Sequence, residues 1–149
     1  PPIYNIGIVT DGDTPHDRTL VARFTQEIKV LAQGDFIPRF PKPLVLSGGD
    51  STEGVRTALR KLMGAHDVDL VLALGPIASR QAYLSGKLSK PVIAPFLSGS
   101  LARQKQLLPE TGGPVVAISA TPSFDQLLLT LKRVVDFSCL DVVMDRRDL

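Results

Sequence analysis

The run Val68-Asp69-Leu70-Val71-Leu72-Ala73-Leu74, stopped at once by Gly75-Pro76, is the feature that most limits what this chain can fold into. Apart from Asp69 it is apolar throughout, so it lacks the in-out alternation of a strand with one wet face. Such a strand is buried on both faces, which implies a parallel sheet with helices on either side. Residues 4–9 have the same near-continuous character and run into the polar turn Thr10-Asp11-Gly12-Asp13. Shorter apolar pieces at 91–94, 115–118 and 140–144 read as further strands.

Between these pieces the period changes from two to 3.6. Leu20, Val21, Phe24, Ile28 and Leu31 recur at helical spacing after Thr14-Pro15-His16-Asp17. In that tetrapeptide Thr14 can cap the helix, Pro15 suits its first position and Asp17 favours its positive end. Val55, Leu59, Leu62 and Met63 form a second buried stripe, for which Asp50 with Glu53 is the expected capping box. Gly75-Pro76 opens a short helix to about Leu84. Ser123 is the expected cap of a last helix, with Phe124, Leu127, Leu128, Leu131, Val134 and Val135 on one face. Residues 36–46 contain two apolar pieces broken by Pro38, Pro41 and Pro43; proline cannot donate to a ladder, so this strand is expected at an edge or broken. Residues 101–113 have the weakest pattern and are expected to form a helix or a surface loop.

Strand and helix thus alternate from end to end. The chain is expected to be a single α/β domain: a doubly wound, mostly parallel sheet of five to six strands with helices on both faces, in the flavodoxin-like order 2-1-3-4-5. A length of 149 residues and an apolar share of 44% are enough for one such core.

Charge and composition exclude several functions. A net charge of +2, with Lys and Arg scattered, does not suit a nucleic-acid surface. No apolar run reaches the roughly 20 residues of a membrane span. Cys139 is the single cysteine, so an internal disulfide is ruled out and the compartment is left open. His16 and His66 lack partners at metal-ligand spacing. Ser47-Gly48-Gly49-Asp50-Ser51 is glycine-rich but has no Walker lysine. Asp11 and Asp13 resemble the acidic pair of a response-regulator receiver, but the strand ending at Leu74-Gly75 brings no phosphoacceptor carboxylate. A polar turn with capping carboxylates is the plainer reading. No catalytic constellation emerges, and no cofactor or metal is expected.

Several segments resemble the ABC-transporter substrate-binding proteins of the type I periplasmic fold: residues 4–11 (YNIGIVTD) their opening strand, 68–75 (VDLVLALG) their third strand with its glycine turn, 90–95 (KPVIAP) the strand that follows, and 124–145 the crossover toward a second lobe. The resemblance runs over nearly the whole chain, yet a complete member has two lobes and about twice this length. It implies a non-enzymatic solute-binding lobe of a transport or efflux system, in the periplasm or cell envelope after signal removal, with membrane transport components as partners. A structural or protein-interaction domain fused to an envelope component is the alternative.

In open parallel sheets ligands sit beyond the carboxyl ends of the strands, where strand order reverses. The expected ligand residues are therefore Thr10, Asp11 and Gly12 after the first strand, Gly75, Pro76, Ile77 and Ser79 after the third, and Pro95 and Phe96 after the fourth. The free amides at the helix start in 75–79 favour a small anionic or carboxylate-bearing solute. For residues 140–144, the expectation is that they add to the sheet edge beside 115–118; a homodimer paired through them is the alternative.

Overall fold

The computed structural model describes residues 1–86, 88–97, 115–117, 124–135, 138–139 and 141. β1 (Ile3–Thr10) leads to α1 (Pro15–Leu31), then β2 (Ile37–Arg39) and, after one 3-10 turn at Lys42–Leu44, β3 (Val45–Ser47). α2 (Thr52–Gly64), β4 (Leu70–Leu74), α3 (Pro76–Leu84), β5 (Val92–Ala94), β6 (Val115–Ala117) and α4 (Phe124–Val134) follow. All pairings are parallel. The sheet order is β2-β1-β4-β5-β6, with β3 also pairing with β1.

This is the doubly wound α/β sheet expected from the alternation of periods. Its second strand is broken in two at the proline-rich stretch: Ile37–Arg39 pairs with the start of β1 and Val45–Ser47 with its end. Counted as one strand, these pieces give the order 2-1-3-4-5. The segment 101–113 and the Ser123 cap lie outside the described residues, as does the expected sixth strand at 140–144 apart from Asp141, which is exposed and not in a strand.

The period-2 arrangement of β1 and β4 divides the core. Val9, Val71, Ala73 and Val92 face α2 and α3, where they pack with Val55, Leu59, Leu62, Ala78 and Ala82. Ile6, Ile8, Leu72 and Leu74 face α1 and meet Leu20, Val21, Phe24 and Ile28. Gly7 lets α2 lie close, since a Cβ there would come within 2.9 Å of Leu62. Where α2 ends, the Lys90 ammonium donates to the carbonyls of Ala65 and Val68, the latter at 2.7 Å. A cation at that position suits the negative end of the helix.

Capping follows the sequence at α1 and departs from it at α2. Thr14 and Asp17 form a full capping box with Pro15 at the first turn. At α2 the cap is Ser51, whose hydroxyl accepts the Gly54 N–H, and not the expected Asp50. Asp50 has φ +55°, outside the extended conformation of an N-cap. The turn at 47–50 places it one residue too early, and its carboxylate lies against Gly12 instead.

The last helix also differs from expectation. An apolar stripe on one face of a helix is the side that normally packs against the core. In the structure Leu127 is 51% exposed, Leu131 40% and Val134 78%.

Candidate functional site

The strand order reverses between β1 and β4, which lie side by side with Thr10 opposite Leu74. That register sets the turn after β1 against the turn after β4. β5 is the next strand over, and its carboxyl end brings Pro95 and Phe96 to the same edge. The residues expected at a ligand crevice from sequence are thus gathered at one end of the sheet.

Asp11 organises this end. One carboxylate oxygen accepts the Ile77 N–H at 3.0 Å and the other the Ala78 N–H at 2.6 Å. These are the amides left unpaired at the start of α3. Gly75, the N-cap, has no side chain to serve them, so a carboxylate from 66 positions earlier in the chain takes the capping role. Gly75 has φ +128°, and a Cβ on it would fall 2.5 Å from the Asp11 carboxyl carbon. Gly12 is tight for a related reason: a Cβ there would meet the Asp50 carboxylate at 2.5 Å. The Asp50 N–H in turn donates to the Asp11 carbonyl at 2.7 Å. Two glycines therefore make room for two carboxylates.

The other expected ligand residues are also in place, but several of their polar groups are engaged. Thr10 is buried and its hydroxyl donates to the Gly12 carbonyl at 2.7 Å. Ser79 is fully buried. Its hydroxyl donates to the Ala73 carbonyl at 2.8 Å and accepts the Phe96 N–H at 3.1 Å, which ties the end of β4 to the loop after β5. The Phe96 ring lies 6.0 Å from that of Phe24, on the α1 side. Pro76 is exposed at the first turn of α3. The amides expected to receive an anionic solute are thus already held by the chain's own anion, and Ser79 works as an internal tie.

Electrostatics reinforce the point. Burial raises the Asp11 carboxyl above its ordinary value; the Ile77 and Ala78 N–H groups pull it down, and the charges of Asp17 and Asp50 push it further up. Asp17 moves the other way. Burial would raise it, but the Thr14 hydroxyl and N–H, the His16 charge and a Gly12 N–H lower it below the usual range. Asp13 is exposed and paired with Arg18 at 3.1 Å. The turns at this end of the sheet are acidic, with Arg18 as a counter-charge.

These shifts have a testable consequence. An acid raised in the fold contributes stability below its ordinary pKa, and that contribution is lost as pH rises through the folded value. Asp11→Asn does not titrate, so the variant should gain on the native chain as pH rises from about 4 to 6, across the carboxylate range. Asp17→Asn should show the opposite slope at lower pH, because the native chain loses the stability of its lowered acid as pH falls below about 4. Urea midpoints of the three proteins from about pH 2.5 to 6 measure both, and a native chain that gained on Asp11→Asn as pH rose above about 4 would mean that the amide bonds outweigh burial.

Sequence reasoning missed Asp50 as a neighbour of the turn after β1 and Asp11 as the cap of α3. A hint was available in Gly75-Pro76, which supplies a helix start with no capping side chain of its own. Among the described residues no cluster of His, Cys, Asp and Glu could hold a metal ion, and no helix is long and apolar enough to cross a membrane. No family model, no curated protein and no solved structure matches the chain.

Proposed function

We propose that the chain is a non-enzymatic solute-binding module whose ligand lies over the carboxyl ends of β1, β4 and β5. The observation that carries this reading is the Asp11 carboxylate, seated on the Ile77 and Ala78 amides at the point of strand-order reversal. The seat holds a half-buried acceptor in one orientation, as binding sites on rigid elements require. It also favours one polarity of ligand. With both amides taken and Asp17 and Asp50 nearby, the crevice suits a small solute that presents an ammonium, guanidinium or other donor, in place of the anionic one expected from sequence. The resemblance in residues 4–11, 68–75 and 90–95 supports a place in a transport or efflux system of the cell envelope.

Titration of the ¹⁵N-labelled chain with agmatine and, separately, with succinate tests the site. Agmatine should shift the amides of Asp11, Gly12, Ile77 and Ala78, and Asp11→Asn should weaken it by about tenfold, or some 1.4 kcal/mol. Shifts confined to other faces with both probes would remove the crevice from consideration. The second reading is a protein-interaction domain, and the exposed apolar stripe of α4 favours it.

A further inference from the structure

At the opposite end of the sheet, on the α1 side, lies an apolar groove of about 610 Å³. Its floor is Ile6, Leu70 and Ile93 from neighbouring strands, and Ile28 and Leu31 of α1 form one wall. The apolar surface continues onto β6, where Val116, paired with Ile93, is 60% exposed, and along α1, where Leu31 is 78% exposed. On the other face of the sheet α2 and α3 leave no such gap over the same strands: Val71, Val92 and Ala94 are all fully buried.

Among the described residues the same chain carries a second exposed apolar surface. Along α4, Leu127, Leu131 and Val134 fall at i, i+4 and i+7, one stripe of a helix, and all are exposed. We propose that α4 of one copy docks in this groove of a second copy, and that the exchange is reciprocal about a two-fold axis. Two observations and a symmetry argument favour a second copy. Both surfaces are open at once in a single chain, so docking between copies buries them without rearrangement of either. The charges are compatible: the charged residue in the groove is Asp69, whose carboxylate also accepts the Asn5 N–H, and Lys132 borders the apolar stripe in the last turn of α4. An isologous exchange also uses each groove and each helix once, doubling the apolar area buried in a closed pair.

Sedimentation equilibrium of the intact chain should give a dimer. Leu127→Asp with Leu131→Asp on the helix should weaken it by about a hundredfold or more, as introduced charges would be buried in an apolar contact. Leu31→Asp, at an exposed position in the groove, should do the same and keeps the test independent of α4 folding. In a sample mixing ¹³C-labelled and unlabelled chains, nuclear Overhauser contacts from α4 methyls to Leu70 and Ile93 should appear between copies. A monomeric native chain, a dimer indifferent to both sets of substitutions, or the same methyl contacts arising only within one copy would each overturn the proposal.

Discussion

Gly75→Ala is expected to destabilise the fold by about 3 kcal/mol, since a non-glycine residue in that region is strained and the added carbon has nowhere to go. The backbone at Gly75 lies at φ +128°, and the new Cβ would stand 2.5 Å from the Asp11 carboxyl carbon and one of its oxygens. Asp11 is held by two N–H groups, so it cannot swing aside without leaving the first turn of α3 uncapped. Either outcome damages this end of the sheet: the turn deforms, or the carboxylate leaves its seat. Urea denaturation gives the loss in stability, and the Ile77 and Ala78 amide shifts report whether the carboxylate has moved. A fully stable variant with unchanged amide shifts would mean that the turn tolerates a side chain and that the seat is looser than described.

Leu62→Ala should cost about as much, roughly 3 kcal/mol within the usual span for a buried leucine. Leu62 is 1% exposed and packs from α2 toward β1, where the missing side chain of Gly7 admits it. A glycine has no Cβ to move into the space, so the cavity left by alanine would stay open on that side. Leu84→Ala is the control, because Leu84 is exposed at the end of α3 and its loss should stay within about 0.5 kcal/mol. Native chains are stable by only about 5–15 kcal/mol, so the first variant should show a clearly lower denaturation midpoint at an unchanged slope. Equal losses for Leu62 and Leu84 would contradict the packing of α2 on β1.

The two expected effects sit at different distances from the proposed ligand. Leu62 lies on the α2 face of the sheet, so Leu62→Ala should lower stability while leaving agmatine-induced shifts at Ile77 and Ala78 in place. Gly75→Ala should change both. That contrast separates damage to the seat from general loss of the fold.

What was legible in the sequence was what neighbouring residues decide among themselves. The strand at 70–74 and the helices at 15–31 and 76–84 follow from apolar periodicity and from Thr14-Pro15 and Gly75-Pro76, all signals acting within a few positions. The break between Ile37–Arg39 and Val45–Ser47 follows from prolines lying within it. Even the nearest error, the cap of α2, came from a local detail: φ +55° at Asp50 moved the cap to Ser51. Only the tertiary structure decided what meets across the sheet. The β1–β4 register sets Thr10 opposite Leu74, and this alone brings Asp11 to amides 66 and 67 positions away. The same packing buries the Ser79 hydroxyl between Ala73 and Phe96 and leaves the α4 stripe in solvent. A free amide pair and an apolar stripe look the same in sequence whether they are occupied or open, because occupancy depends on groups far along the chain.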